Sequence, residues 1–275
     1  MGRSTGAATL RVGLVDGPVI VDHPGLGHAQ IKWSCPRDVA ERDADDVAAE
    51  HATATAGVLV AQCTSGALGI CPGITLISRS VFRSPAARSA GTATWLDLAD
   101  ALVELTDAGA RIINLSLSLT MGTPKEHRAV QDALDHVATH GATVVAAAGN
   151  EGAVGSTVVT RHWSVLPAVA YNLRGRPAQG SNIGRSIGQR GVGVVADGLM
   201  SLGAHGRIRP FGGTSAAAAV VTGAAALILS ELPRTRPDEL IFAMKGALSH
   251  RISVVPPLFN AWRAFETLYT ARSWQ

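Results

Sequence analysis

The chain has 275 residues, 47% hydrophobic and only 16% charged, with a formal net charge of +3. That is enough apolar material for a sizeable core, and one α/β domain spanning 1–275 is the simplest expectation. No dense Lys/Arg block occurs, so the concentrated basic patch that nucleic-acid binding needs is absent.

Three cysteines, Cys35, Cys63 and Cys71, do not make a disulfide framework. Cys63 and Cys71 are close enough in sequence to bridge, but buried free thiols are the better reading. Without a Cys-x-x-Cys pair, no structural zinc site is expected, and no cofactor is implied. The N-terminal MGRSTGAATL lacks the apolar stretch of a signal peptide. No run of about 18 apolar residues lacks a turn signal or polar break, so no membrane span is expected and the cytoplasm is the expected location.

Residues 11–16 (RVGLVD) read as a short buried strand ending in an acid, followed by a turn at Gly17 and Pro18. Residues 35–50 are acid-rich and read as an exposed loop or short helix. Small and apolar residues from His51 to about Gln62 predict a helix, and 73–82 a strand. Trp95, Leu98, Leu102 and Leu105 recur at helical spacing, which predicts an amphipathic helix over 93–108 with a core-packing stripe, ended by Gly109. Residues 111–117 follow as a strand. Thr123, Pro124 and Glu126 supply an N-cap, a first-turn proline and a capping-box acid. The helix they open buries Val130, Ala133, Leu134 and Val137, and Gly141 stops it. Residues 142–148 are an apolar strand. Strand, helix, strand in this order implies a βαβ unit and a parallel sheet. Residues 172–213 read as short strands and loops. From Ser215 to about Leu232 the chain is apolar around its circumference, which predicts a buried helix. Helical stretches near 237–249 and 259–271 close the chain. The expected fold is a three-layer α/β domain with a mainly parallel central sheet.

Four segments place a reactive side chain at the end of an element. Asp16 ends a buried strand, His51 opens HATATAG, Asn150 ends AAAGN, and Ser215 follows GGT. In parallel α/β folds, sites form at the carboxyl ends of strands and the adjoining helix starts. A serine hydroxyl needs a histidine to take its proton, and the histidine needs an acid to fix its tautomer and stabilise its charged form. A side-chain amide suits the developing oxyanion, as do free N–H groups at a helix start. Each segment alone has a plainer reading, as a turn, a structural histidine or a cap. The weight lies in the order Asp, His, Asn, Ser.

VGLVDGPV, HATATAG, AAAGNEG and GGTSAAAAVVTGAAAL resemble the signature blocks of the subtilisin-like serine peptidases. The order Asp, His, Ser is the subtilisin order. The similarity runs from about 11 to 232, with His23-Pro24, NLSLS at 114–118 and GSNIG at 180–184 between the blocks. The resemblance implies a triad of Asp16, His51 and Ser215, with Asn150 and the Ser215 N–H forming the oxyanion hole. It also implies that Ser116, Leu117 and Ser118, with Ala147, Ala148 and Gly149, line the substrate cleft. The first of these segments would pair with an extended peptide as an added strand. Glu151 would sit near the pocket for the residue preceding the cut.

The chain departs from the family pattern at several points. Ala52 replaces the usual glycine after the histidine, and Ala54 or Thr55 stands where another histidine is usual. The loop 61–71 lacks an Asn-rich calcium-binding run, and Gly25 stands where secreted members place an acidic ligand, so no calcium is expected there. The DGPV turn followed by His23-Pro24 is similar to the subtilase domains of cyanobactin-type peptide maturation. That likeness implies a ribosomal precursor peptide as substrate. Only 35 positions separate Asp16 from His51, which leaves little room for a macrocyclase insertion and favours hydrolysis. The rivals are a catalytically silent peptide-binding fold and a general intracellular protease. His136 and His140 lie four apart on a helix, and without an apparent acidic partner they read as a solvated last turn.

Overall fold

The computed structural model describes residues 4–34, 46–62, 65–82, 93–117, 122–246 and 253–272. In chain order the elements are β1 (Arg11–Asp16), β2 (Gln30–Trp33), α1 (Val47–Val60), β3 (Thr75–Ser80), α2 (Trp95–Asp107), β4 (Ile112–Leu115) and α3 (Pro124–Thr139). There follow β5 (Thr143–Ala147), α4 (Val158–Arg161), β6 (Val165–Tyr171), α5 (Arg185–Arg190), β7 (Val192–Val195), β8 (Met200–Leu202) and β9 (Ile208–Pro210). Three helices end the chain: α6 (Gly213–Glu231), α7 (Pro237–Lys245) and α8 (Ala261–Arg272).

Seven strands form one sheet in the order β2-β3-β1-β4-β5-β6-β7, and every pairing is parallel. A parallel strand in such a sheet is covered on both faces and therefore reads as a nearly continuous apolar run. In β1, Val12 and Leu14 join Ala52, Leu59 and Ala217 in one core, while Val15 joins Leu98, Leu102 and Leu134 in the other. Helices α1 and α6 lie in the first layer, α2 and α3 in the second. The alanine-rich α6 has the length and apolarity of a membrane-crossing helix, but it packs against β4, β5, β6, β7 and α1 as the buried central helix. Its small side chains permit that close approach to strand backbones.

The strand order reverses between β1 and β4, where the chain finishes building one side of the sheet and starts the other. Sites in open α/β sheets form at such a switch point, at the carboxyl ends of the strands. Asp16 ends β1 at this position.

The expected elements are present, with differences that have physical causes. The helix carrying His51 starts at Val47, so His51 lies in its second turn and does not open it. Asp46 is the N-cap, its carboxylate accepting from the Ala48 N–H at 2.9 Å; within an acid-rich run that cap does not stand out. The capping box at Thr123 and Glu126 is formed. The segment 172–213 contains a short helix, α5, and an antiparallel hairpin, β8–β9, besides β7. Strands β2 and β6 had no counterpart in the sequence reading. His136 does have an acidic partner: Asp107 Oδ1 lies 2.9 Å from its Nε2, brought there by the packing of α3 on α2. Among the described residues, no cluster of three His, Cys, Asp or Glu side chains is arranged to hold a metal.

Candidate active site

Asp16 is fully buried at the end of β1. A buried carboxylate must be hydrogen-bonded, and this one accepts three times. Oδ1 accepts the Gly17 N–H at 2.8 Å and the His51 Nδ1–H at 2.8 Å, while Oδ2 accepts the Thr55 hydroxyl at 3.1 Å. The Nδ1 bond fixes the tautomer, leaving the Nε2 lone pair as the available base. Gly17 allows the approach. A Cβ there would lie 2.2 Å from the Ala48 carbonyl oxygen, so only glycine lets α1 come close enough for His51 to reach Asp16.

The His51 side chain is 33% exposed. Asp16 raises its pKa above the ordinary value of 6.5. Burial opposes that rise, the hydrogen bond to Asp16 adds to it, and the Arg209 guanidinium opposes it. The negative partner prevails, so the imidazolium is stabilised, as a base that gains a proton during reaction requires. Phe211 packs edge-on against the imidazole with ring centroids 5.6 Å apart.

Ser215 is the third residue of α6 and is 8% exposed. Its N–H belongs to the first turn, where backbone donors lack intrahelical acceptors and the helix dipole is positive. Gly212 provides no side-chain cap. Asn150, beyond β5, holds the same turn: its Oδ1 accepts the Thr214 N–H at 2.9 Å and the Thr214 hydroxyl at 3.1 Å. With Oδ1 so engaged, Nδ2 is the amide's remaining donor. Gly213 has φ +71°, in the left-handed region, and a Cβ there would come within 2.9 Å of Asn150 Oδ1.

The structure thus joins Asp16 to His51, and Asn150 to the turn that carries Ser215. Phe211, four residues before Ser215, touches the His51 ring. Among the described residues no hydrogen bond links Ser215 to His51. Catalytic hydrogen bonds are often long in free enzymes and tighten with substrate.

A cavity of about 60 Å³ reaches Gly149 and Glu151, the chain neighbours of Asn150, and is lined also by Leu117, Ala147 and Ala148 among the anticipated cleft residues; Asp16, His51, Asn150 and Ser215 are not part of its lining. Asn182 orients Glu151 through an Nδ2–H bond of 2.5 Å to Oε2. Trp95 and Leu98, two residues of the α2 core-packing stripe, also line this cavity. Ser116 is buried, and its Oγ accepts from Asn114 Nδ2 at 2.9 Å. Ser118 lies outside the described residues. So do Cys35 and Cys63, and with Cys63 any pairing to Cys71; Cys71 itself is a buried free thiol.

Sequence reasoning missed Thr55, Phe211, Arg209 and Asn182. Thr55 had a usable signal: it follows His51 by four residues, so on a helix it shares the face that meets Asp16. The other three come together only through the fold.

The described residues thus combine a wholly parallel seven-stranded sheet, a carboxylate–imidazole pair at its switch point, and a serine in the first turn of a buried helix. The sequence profile of the subtilase family matches residues 8–260, and the chain belongs to that family. It is 30% identical over 232 residues to the thermophilic serine proteinase of Bacillus sp. (strain AK1), covering 82% of this chain and 53% of that one. It is also 30% identical over 231 residues to subtilisin DY of Bacillus licheniformis, covering 82% of this chain and 78% of the relative. The chain therefore spans about half the length of the first and most of the second. The solved structure of a serine-to-alanine mutant of the protease domain of PatA superposes with a TM-score of 0.85 at 26% identity, covering 98% of this chain and 99% of that one. Another structure of PatA, described as the patellamide maturation protease, gives 0.80 at 26% identity, with 96% and 98% covered.

Proposed function

We propose that this chain is a serine endopeptidase that cuts a ribosomal precursor peptide beside its leader, acting as a single domain over residues 1–275. The observation that carries the reading is the 2.8 Å bond from His51 Nδ1 to a buried, triply hydrogen-bonded Asp16. That bond fixes the tautomer and so prepares Nε2 as the base. In the reaction, His51 takes the Ser215 proton as Oγ attacks the peptide carbonyl. The oxyanion accepts hydrogen bonds from Asn150 Nδ2 and the Ser215 N–H. The tetrahedral adduct collapses, His51 protonates the leaving amine, and water hydrolyses the acyl-enzyme with His51 again as base. Leu117, Ala147, Ala148 and Gly149 offer an apolar cleft, and Glu151 stands at its polar side. The precursor-peptide assignment is supported by the likeness to the patellamide maturation protease over nearly the whole of both chains. A cytoplasmic location agrees with it, because ribosomal precursors are made there.

A fluorophosphonate probe should label wild-type protein at Ser215 and leave Ser215→Ala unlabelled. Incubation with leader-bearing precursor peptide and, separately, with unfolded casein then separates the substrate classes. Cleavage of the precursor at one bond supports dedicated maturation; digestion of casein supports a general protease. The departures from the family pattern at Ala52 and at Ala54 or Thr55, around His51, support a second reading, a silent peptide-binding fold. Retention of the peptide by well-folded, unlabelled protein would establish it.

A further inference from the structure

The β8–β9 hairpin is fastened to the helix that bears His51 by contacts the reaction itself does not require. The Ser201 hydroxyl donates to the Ala54 carbonyl at 2.6 Å. The Ala204 N–H reaches Glu50 Oε1 at 3.4 Å, and Arg209 forms an ion pair with the other oxygen of Glu50. At the hairpin tip, the Arg207 carbonyl lies 3.2 Å from His23 Nε2. His23 Nδ1 accepts the Gly25 N–H at 2.9 Å, so Nε2 carries the proton and donates. The His23-Pro24 segment, prominent in the sequence, thus anchors the hairpin from the loop after β1.

Arg209 on β9 and Phe211, one residue beyond the strand's end, meet Glu50 and His51, neighbours on α1: arginine on glutamate, phenylalanine on histidine. The charged groups around the ring are Asp16 from β1, Glu50 from α1 and Arg209 from β9. The first turn of α6 carries the uncharged Thr214 and Ser215, and the remaining titratable groups of the flanking segments are Asp22, His23 and His28 after β1, Asp46 at the start of α1, Asp197 before β8, and His205 and Arg207 at the hairpin tip.

We propose that Arg209, held by Glu50, is a positioning residue for His51 that fixes the ring through the hairpin and sets the electrostatic potential at the base. The proposal rests on His51 being the catalytic base. A cation beside an imidazole disfavours the imidazolium, and Arg209 does act in that direction against Asp16. Glu50 moderates it, because a paired guanidinium projects less field than a free one. The two residues therefore act on His51 with opposite signs, which a purely structural clamp would not do.

The test measures the acid limb of kcat/KM and, independently of activity, the His51 imidazole titration by NMR. The proteins are wild type, Arg209→Met, Glu50→Gln, the double variant and Arg209→Lys. Arg209→Met is expected to move both readouts to higher pH and Glu50→Gln to lower pH. The double variant should fall near Arg209→Met, and Arg209→Lys, which keeps the charge, should stay near wild type. If Arg209→Met fails to fold, the Glu50→Gln and Arg209→Lys pair still decides: a downward shift in the first with none in the second supports the proposal. Unmoved titrations, or shifts of the same sign in both single variants, overturn it. Activity retained by His51→Ala would instead remove the catalytic-base reading, an outcome recognisable without any Arg209 variant.

Discussion

Thr55 Oγ1 lies 3.1 Å from Asp16 Oδ2, the carboxylate oxygen that neither Gly17 nor His51 engages. The same hydroxyl is 3.0 Å from the His51 carbonyl one turn earlier, so it ties the acid to the helix that carries the base. Thr55→Val keeps the shape and deletes the donor. It leaves a buried charged oxygen short of a partner, at a cost of about 1–3 kcal/mol in stability. We expect kcat/KM to fall about tenfold, equivalent to about 1.4 kcal/mol of transition-state stabilisation. Thr55→Ser should restore most of both, as read by urea unfolding and peptide hydrolysis. A Thr55→Val enzyme with wild-type kinetics would show that the bond does nothing for the dyad.

Asn150 has two duties that one substitution can separate. Its Oδ1 holds Thr214, while Nδ2 is the donor available to the oxyanion. Asn150→Asp retains the acceptor and removes the donor, so the first turn of α6 should stay in place while the oxyanion loses a partner. The expected loss is about 10²–10³ in kcat with little change in KM. A loss confined to KM would assign Asn150 to substrate binding.

The pH dependence has a definite sign. His51 must be neutral to accept a proton, and Asp16 raises its pKa above 6.5, so kcat/KM should begin to fall on the acid side above that pH. Stability follows the linkage rule. The folded pKa of His51 exceeds the unfolded value, so its contribution is complete below about 6.5 and is lost as pH rises through the folded value. His162 works oppositely. Burial lowers its pKa against the pull of Asp135, so stability drains as pH falls from about 6.5 toward its folded value. Urea midpoints across this range for wild type, Asp16→Asn and His162→Gln resolve the two. Asp16→Asn should abolish the alkaline loss and lower kcat by about 10⁴. If it leaves the alkaline limb of stability unchanged, the Asp16–His51 pair is not its source.

The sequence made legible what depends on local periodicity and end signals. The α2 stripe, the Thr123 and Glu126 box and the apolar run of α6 are patterns within one element. Asp16, Asn150 and Ser215 stand out because their motifs sit where elements begin or end, and His51 stands out by its motif alone, since it lies in the second turn of α1. Arg209 and Glu50 do not, since 159 positions separate them and only the return of β9 onto α1 makes them neighbours. Strand β6 went unread although every residue in it is buried, because Pro167 interrupts the apolar run and no turn pair brackets it. Trp95 was read as core, correctly for its helical spacing, but spacing does not reveal that the end of a stripe lines a cavity.

Cys71 offers a check on the packing of the loop that follows α1. It is buried and unbridged, and burial alone pushes its thiol pKa up to about 12. The thiolate is the reactive form, so at neutral pH Cys71 should resist alkylation in the native protein and react on unfolding. Pulsed iodoacetamide followed by peptide mass mapping isolates this residue from Cys35 and Cys63. Prompt native-state labelling of Cys71 would mean that the interface of α1 with its following loop opens readily.

Gly17 is the sharpest test of how the dyad is assembled. A methyl group there meets the Ala48 carbonyl oxygen at 2.2 Å, a distance no rotamer change relieves because both partners are backbone. In Gly17→Ala, α1 must retreat from β1 or the turn must rebuild. Either movement stretches the 2.8 Å bond between His51 and Asp16. Overpacking of this kind costs about 1–3 kcal/mol in stability. A misplacement of about 1 Å at reacting groups costs about 100-fold in rate. Activity should therefore fall further than stability explains, and the His51 titration should drift down toward 6.5 as Asp16 withdraws. A variant that loses stability but keeps the wild-type His51 titration would show that the dyad tolerates the displacement, and that the approach at Gly17 serves packing alone.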